Sequence, residues 1–294
     1  MIALPRTALV AALSLICATA ACAQQPQAAA AQAAPAAPPP GAENWRTPDP
    51  QNLWVLETSK GRVVVELYPE IAPRHVERIK ALTRSGFYDG LAFHRVIEGF
   101  MAQGGDPKGD GTGGSQLGNL AQEFEFRRGP DMAFHTFAEQ TGVDLGFVGA
   151  MAAISQPSAL MTPERSRDGK VRAFGLHCPG VASMARAMDP NSANSQFFLM
   201  RATYPSLNQQ YTVWGRAVLG LDVIRSFKTG EPVADPDRIR TARIAADLPA
   251  AQRPRLEIQR TDGPAFKAYA ADELAAKGEA FDPCDLQVAA RILP

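Results

Sequence analysis

The chain has 294 residues, with 30 basic and 30 acidic side chains and no net formal charge. This balance gives no attraction towards nucleic acid or anionic membranes, so neither is an expected partner. Apolar residues make up 46% of the chain, as in an ordinary globular protein, while 24 glycines and 24 prolines exceed what a helical bundle tolerates. The composition therefore favours many short strands joined by turns.

The N-terminus has the pattern of a secretory signal peptide, predicted over residues 1–23. Arg6 supplies a positive flank, residues 8–20 are an apolar segment, and Ala21 to Ala23 fits a small-x-small cleavage site. The apolar segment is too short to stay in the bilayer as a helix, and no later run is long enough. We therefore expect an exported, periplasmic chain with no transmembrane span after processing.

A second interpretation of the same segment concerns Cys22. Thr19 to Cys22 resembles a bacterial lipoprotein box, in which the cysteine becomes acylated and anchors the chain to the membrane. Thr19 stands where leucine is usual, so release is the preferred interpretation and the lipid anchor the alternative. Residues 24–48 are dominated by alanine, proline and glutamine and predict a disordered linker.

Periodic patterns predict the first elements after the linker. Leu53 to Leu67 holds two strand signals around a turn at Ser59 to Gly61. Pro73 to Ser85 has helical spacing of apolar residues, and a second helix is predicted from Leu221 to Phe227. Beyond Asp247 the chain becomes polar and again helical in pattern.

The glycine-rich segment from Gly104 to Gly114 predicts turns. Three of its glycines match a dinucleotide fingerprint by spacing, but the required strand-to-helix context is missing. Lys108 lacks the Ser or Thr of a phosphate loop, and Asp106 and Asp110 lack the other ligands of a calcium loop. We therefore expect no cofactor and no metal.

The run from Phe93 to Pro107, FHRVIEGFMAQGGDP, carries the most chemistry. It places Arg95 beside an apolar segment and follows it with Gln103. A permanently charged guanidinium next to an apolar pocket suits polarisation of a carbonyl or amide, and this needs no nucleophile. None of the four histidines belongs to a recognisable triad, and His94 is expected to be a hydrogen-bonded structural residue. A hydrolase is therefore disfavoured.

Two cysteines, Cys178 and Cys284, remain after the signal peptide. In an oxidising compartment they could pair, which would tie the C-terminal segment to the middle of the chain. Sequence gives no distance between them, so a disulfide and two separate thiols both stay open.

Two groups of residues together resemble one known family. Gly86 to Gly90 reads GFYDG and leads into the run ending at Pro107, while Ser183 to Ala187 reads SMARA and Asn194 to Phe198 reads NSQFF. These motifs are similar to those of the cyclophilins, which are peptidyl-prolyl cis-trans isomerases. The resemblance implies a mainly β fold: a closed eight-stranded antiparallel barrel capped by two α-helices.

The resemblance also implies a domain organisation. A cyclophilin-like domain is expected over residues 49–248, interrupted by an insertion at about 127–179 that is far longer than the family's usual link. Residues 249–294 would form a C-terminal extension. The insertion is expected to be a partly ordered excursion beside the barrel.

Carried over by position, the resemblance assigns roles to ten residues. Arg95 and Gln103 would be catalytic, with the glutamine orienting the arginine and holding the substrate carbonyl. Arg186 stands where the family often has asparagine, and Tyr211 where it often has histidine. The substrate-binding set is Phe100, Met101, Ala185, Arg186, Gln196, Phe198, Leu207 and Tyr211.

The implied function is rotation about X-Pro bonds in exported proteins, which assists their folding. The expected partners are proline-containing unfolded or partly folded polypeptides, and the chain is expected to be a monomer. The alternative is a chaperone or assembly factor that uses the same barrel without catalysis and contacts its clients through the insertion.

Overall fold

A computed structural model of the chain describes residues 41–140 and 142–293. The predicted signal peptide, Cys22 and most of the predicted linker lie outside the described residues. The strands and helices follow in chain order. They are β1 (Trp45–Arg46), β2 (Leu53–Thr58), β3 (Gly61–Leu67), α1 (Pro73–Arg84), β4 (Arg95–Ile97), β5 (Met101–Gly104), β6 (Phe126–Arg128), β7 (Phe134–Gln140), β8 (Val143–Val148), β9 (Met151–Ser155), β10 (Val171–Gly175), β11 (Val181–Met184), β12 (Phe197–Met200), β13 (Val213–Leu219), α2 (Leu221–Arg225), β14 (Ile239–Ile244), β15 (Leu256–Gln259), α3 (Pro264–Lys277) and β16 (Ala290–Ile292).

The local patterns predicted β2, β3 and α1 correctly. In α1, Pro73 occupies the first turn, where its missing N–H has no helical partner to lose, and Val76, Ile79 and Leu82 are buried on one face. The second helix is shorter than predicted, because α2 ends at Arg225. Phe227, predicted inside it, instead lies in the core and stacks on Phe93 with ring centroids 4.4 Å apart.

The main sheet has eight antiparallel strands in the order β14-β2-β3-β13-β11-β12-β5-β4. The prediction of a closed barrel was wrong, since β14 and β4, at the two ends of this order, form no ladder with each other, and the sheet is an open, curled half-barrel. β4 is only three residues long, and the chain just before it meets the chain before β14 through an isolated bridge between Ala92 and Arg238.

Aromatic rings fill the concave side of this sheet. Phe197 is fully buried and contacts the rings of Trp54, Tyr88, Phe93 and Trp214 edge to face, with centroids 5.0 to 6.2 Å apart. Such offset and edge-to-face pairs are the favoured aromatic arrangement. The core therefore lies between the main sheet and the helices, and Phe197 faces it.

The insertion is more regular than a partly ordered excursion. Its residues form a second antiparallel sheet in the order β6-β10-β9-β8-β7. The apolar stretch between Leu145 and Ile154 becomes the β8–β9 hairpin, and residues 163–170 form the turn-rich link before β10. Strands β7 to β10 pair with their neighbours in the chain, and only the pairing of β6 with β10 joins strands that are far apart in sequence.

Buried polar groups join the insertion to the main sheet. The Tyr68 hydroxyl donates to the Glu66 carboxylate at 2.5 Å and accepts from the Ala150 N–H at 2.9 Å, while Arg216 donates to the Ala150 carbonyl oxygen. Burial raises the pKa of Tyr68 well above its usual value, so the hydroxyl keeps its proton and can donate. Arg46 completes the cluster through a two-pronged ion pair with Glu66, at 2.5 and 2.8 Å.

The predicted linker ends earlier than residue 48. A 3-10 turn spans Ala42–Asn44, and β1 pairs with β15, which also pairs with β16. The ion pair of Arg46 with Glu66 and the packing of the Arg291 guanidinium over the Trp45 ring, 4.2 Å from its centroid, order this segment. The partner residues, Glu66 and Arg291, are more than 15 positions away in sequence, so the composition of residues 24–48 gave no sign of these contacts.

The C-terminal extension packs on the insertion. Phe266 of α3, fully buried, contacts Phe147 of β8 with ring centroids 5.1 Å apart. Cys178 and Cys284 form a disulfide across a sequence separation of 106 residues, with Cα atoms 5.0 Å apart. Within residues 41–140 and 142–293, no helix has the length and apolar character needed to cross a bilayer.

Replacing both bonded cysteines with alanine (Cys178→Ala/Cys284→Ala) should lower the free energy of unfolding by about 2–5 kcal/mol, because the cross-link restricts a long loop in the unfolded chain. Urea unfolding measures this difference. A reductant should destabilise the wild type by a similar amount and leave the double variant unchanged. Equal stability of wild type and variant under oxidising conditions would contradict the structural role of the bond.

Candidate active site

Strand β5 brings the two predicted catalytic residues together. Arg95 of β4 lies opposite Gln103 in the antiparallel register, and Gln103 in turn lies opposite Phe198 of β12. Side chains directly opposite each other point to the same side of a sheet. The three side chains therefore share one side, which is the side away from Phe197 and the aromatic core.

A cavity of about 140 Å³ opens on that side. Nine of the ten predicted site residues line it, although they come from four separate parts of the chain. Its small volume and the apolar side chains in its wall suit a small ring rather than a long side chain. The lining residues are Arg95, Phe100, Met101, Gln103, Ala185, Arg186, Phe198, Leu207 and Tyr211.

A chain of polar contacts runs along the edge of the cavity. The Arg95 Nη1 donates to Gln103 Oε1 over a long 3.5 Å, and Gln103 Nε2 donates to Gln196 Oε1 at 2.9 Å. Gln196, the predicted residue that does not line the cavity, donates in turn to the carbonyl oxygens of Gly111 and Gly113 at 2.9 and 2.8 Å. Gln196 thus fixes the amide of Gln103 so that its oxygen faces the guanidinium.

The glycine-rich segment lines a cleft next to the cavity, and its own hydrogen bonds hold it in place. The Asp106 carboxylate accepts from the backbone N–H groups of Lys108, Asp110 and Gly111, at 2.6 to 3.1 Å, so its oxygens are already engaged. Gly105 needs to be glycine, because its φ is +82° and a Cβ there would lie 2.5 Å from the Ser195 carbonyl oxygen.

Arg186 is held in place by its neighbours. Its guanidinium lies over the Tyr211 ring, 4.5 Å from the centroid, and its Nε donates to the Gln210 carbonyl oxygen at 3.1 Å. A cation over an aromatic face is attracted by the ring quadrupole. The two departures from the usual family residues, Arg186 and Tyr211, therefore contact each other and form one side of the cavity mouth.

A second, larger cleft of about 370 Å³ adjoins the first. The two share Gln103, Ala185 and Arg186. Gln196, Asn194 and residues 111–114 of the glycine-rich segment are among the other residues that line the second cleft. An extended peptide with one residue in the small cavity would place its neighbours over this cleft. Among the described residues, no group of His, Cys, Asp and Glu side chains has the arrangement of a metal site.

His177 supports the Phe198 wall from behind. The two rings stack with centroids 6.1 Å apart, and His177 Nδ1 contacts Asn208 Oδ1 at 3.1 Å. Since this oxygen only accepts, the ring proton belongs on Nδ1. Burial lowers the pKa of His177 to about 4, so the ring is neutral at physiological pH.

The structure places a serine beside this histidine, a pair that the sequence pattern did not indicate. The Ser183 Oγ lies 3.1 Å from His177 Nε2, but its hydroxyl also contacts the Thr212 carbonyl oxygen at 2.9 Å. Ser183 is fully buried and does not line the cavity, so no substrate can reach it. The pair is therefore structural.

His94 differs from its prediction. It is buried as expected of a structural residue, but neither ring nitrogen has a hydrogen-bond partner. Burial lowers the pKa of His94, which favours the uncharged ring in this setting. The burial is therefore as expected, but the expected hydrogen bonds of the ring are not formed.

Sequence reasoning missed Glu231. Its Oε2 accepts from the Nε of Arg95 at 2.7 Å, although the two residues lie 136 positions apart. No periodicity or motif links such distant positions. In sequence, Glu231 is one of several carboxylates between α2 and β14, and nothing there connects it to Arg95.

Comparisons with known proteins cover this whole region. A family model described as "Cyclophilin type peptidyl-prolyl cis-trans isomerase/CLD" matches residues 53–245, which include every predicted site residue. A probable peptidyl-prolyl cis-trans isomerase of Brucella suis is 39% identical over 204 residues, covering 68% of this chain and 85% of the relative. The crystal structure of the cyclophilin AquaCyp293 from Hirschia baltica matches with a TM-score of 0.77 and 40% identity, covering 86% of this chain and 94% of that chain.

The depressed pKa of His177 predicts a pH-dependent stability. The unfolded ring has a pKa near 6.5, so the unfolded chain binds more protons than the folded chain between pH 6.5 and 4. The stabilisation is therefore present above pH 6.5 and is lost as the pH falls. Between pH 7 and 5 the wild type should lose about 2 kcal/mol more unfolding free energy than His177→Gln, whose side chain does not titrate.

Urea unfolding of both chains at the two pH values measures this difference. Comparing the change with pH, rather than the absolute stability, removes the cost of the substitution itself. Equal pH dependence in the two chains would show that His177 is not held neutral by burial.

Proposed function

Because the chain belongs to the cyclophilin-type peptidyl-prolyl cis-trans isomerase family, we propose that it catalyses rotation about X-Pro bonds in exported proteins and so assists their folding. The observation that carries this proposal is the small apolar cavity with the Arg95 guanidinium in its wall. The Phe198 and Met101 side chains suit the apolar faces of a prolyl ring. With the ring in the cavity, the amide bond next to it would lie near the Arg95 guanidinium.

The chemistry requires a change in charge distribution and no proton transfer. Delocalisation of the nitrogen lone pair into the carbonyl gives the peptide bond a rotation barrier of about 18–20 kcal/mol. In the twisted transition state this delocalisation is lost, and the lone pair returns to the prolyl nitrogen. A guanidinium N–H directed at that nitrogen interacts more strongly with the twisted state than with either planar isomer, and this difference lowers the barrier.

The remaining residues would hold the substrate while the bond turns. The cavity would anchor the ring, and the polar chain through Gln103 and Gln196 would hold the carbonyl on the other side of the bond. The adjoining cleft offers room for the residues next to the proline. The substrate backbone would run past Ala185, whose N–H donates to the Gln196 carbonyl oxygen at 2.9 Å.

The exported setting is supported by two features. Residues 1–23 have the charge and hydropathy pattern of a signal peptide. A disulfide between Cys178 and Cys284 is typical of proteins that fold in an oxidising compartment. In such a compartment slow X-Pro isomerisation limits the folding of newly exported chains, and the catalyst would act there.

Substituting the arginine (Arg95→Ala) should lower kcat/KM for a proline-containing peptide by about 100-fold. Removing one donor directed at the charge of a transition state typically lowers the rate by about 100- to 1,000-fold. The side chain is 39% exposed, so the melting temperature should change little. A protease-coupled peptide assay measures the rate. The matched control is Arg240→Ala, which removes an exposed arginine of β14 outside both cavities.

Near-wild-type turnover of Arg95→Ala would overturn the assignment of the catalytic group. If the variant lost isomerase activity but still prevented aggregation of an unfolded client as well as the wild type, the result would favour the non-catalytic chaperone function instead.

The mature N-terminus distinguishes release from anchoring. Expression of the full chain in a bacterial host should yield a periplasmic product that begins at Gln24, measured by intact mass. A product that begins at Cys22 and carries the added mass of acyl chains would identify a lipoprotein. An unprocessed chain in the cytoplasm would overturn the export proposal.

A further inference from the structure

The segment that follows α2 brings a carboxylate to the arginine of the site. Glu231 Oε2 lies 2.7 Å from Arg95 Nε, which is the distance of a charge-assisted hydrogen bond. Glu231 does not line the small cavity, whereas Arg95 does. The carboxylate thus contacts the guanidinium at its Nε, and the long Nη1 contact to Gln103 lies at the other end of the same group.

Backbone hydrogen bonds lie on both sides of this ion pair and join the segment that carries Arg95 to the segment that carries Glu231. Gly230 and Val96 exchange two N–H to carbonyl bonds, each 2.9 Å long, and the Val233 N–H donates to the His94 carbonyl oxygen at 2.9 Å. The residues on either side of Arg95 are therefore bonded to residues that flank Glu231. The carboxylate is positioned by the strand that carries the arginine, and not by the ion pair alone.

The segment is also anchored at its far end. The Asp237 carboxylate is buried, and it accepts from the Ser59 hydroxyl at 2.6 Å and from the Lys228 N–H at 2.9 Å. Gly230 has a φ of +156°, and a Cβ there would lie 2.7 Å from the Pro232 carbonyl oxygen. The fold therefore specifies the conformation that presents Glu231.

We propose that Glu231 is a positioning residue that holds the Arg95 guanidinium in the orientation needed for catalysis. This proposal rests on the isomerase function proposed above. An arginine side chain has several rotatable bonds, and most orientations would aim its donors away from the cavity. With Nε engaged by Glu231, the plane of the group is fixed and the Nη donors remain for Gln103 and the substrate amide.

Two substitutions of Glu231 distinguish the effect of its hydrogen bond to Arg95 from the effect of its negative charge. Glu231→Gln keeps the length of the side chain and an oxygen acceptor but removes the charge. Glu231→Asp keeps the charge but is one methylene shorter, so its oxygens no longer reach Nε. If position matters, Glu231→Gln should retain at least about half of the wild-type kcat, while Glu231→Asp and Glu231→Ala should both lose about tenfold, equivalent to about 1.4 kcal/mol of barrier.

KM should stay within about twofold in all three variants, since Glu231 lines neither cavity and a positioning loss acts on the transition state. Both side chains of the ion pair are about half exposed, so the melting temperature should be unchanged. The matched control is Asp235→Asn, an exposed carboxylate of the same segment that pairs with Lys228 and does not contact Arg95.

The experiment measures kcat and KM for one proline-containing peptide in these four variants, in Arg95→Ala, and in Arg95→Ala/Glu231→Ala. The double variant should be no slower than Arg95→Ala, because Glu231 acts through the arginine. Wild-type kcat in Glu231→Ala, or a slow Glu231→Gln beside a fast Glu231→Asp, would overturn the positioning role. Wild-type kcat in Arg95→Ala would overturn the assignment of the catalytic arginine, and absence of isomerase activity in the wild type would overturn the proposed function, so the failures are distinguishable.

Discussion

The candidate site depends on the register of β5 between its two neighbours. In this register Gln103 lies opposite both Arg95 and Phe198, and all three side chains face the cavity. A shift of one residue would turn Gln103 and Phe198 into the interior. The aromatic core prevents that shift, because Phe197, next to Phe198, fits among four buried rings and has no equivalent place on the cavity side. Core packing on one side of the sheet thus fixes the polar geometry on the other.

The sequence predicted those parts of the molecule that have a local signature. Helix α1 and the β2–β3 hairpin follow from periodicity and turn residues, and the resemblance to one family named ten site residues, of which nine line one cavity. What it missed depends on contacts between distant positions. Whether β4 pairs with β14, that β6 pairs with β10, and that β1 pairs with β15 are all questions about distant positions, which no window of sequence displays. The contact of Glu231 with Arg95 is of the same kind, since it spans 136 positions.

The insertion is part of the same body as the main sheet, and buried charge is the reason. Arg216 and Glu66 are each almost fully buried, and removing either partner group from such a cluster would leave a charge without compensation. Tyr68 and the backbone of Ala150 complete the hydrogen bonds of this cluster, so the main sheet and the insertion satisfy each other's polar groups. Burial lowers the pKa of Arg216, but the neighbouring Glu66 opposes this effect. Removal of an insertion held in this way would expose polar groups that now have partners.

Polar partners also orient the Arg95 guanidinium, for which we propose the catalytic role. A guanidinium in water is mobile and well solvated, so its charge would do little to distinguish a twisted amide from a planar one. Here the carboxylate of Glu231 and the amide of Gln103 contact it at opposite ends, and Gln196 holds that amide from the glycine-rich segment. Donors that are already oriented need no reorganisation when the bond rotates, which is the condition under which electrostatic stabilisation of a transition state is largest. In the function we propose, catalysis therefore depends on this connected set of residues across four segments of the chain, and not on the arginine alone.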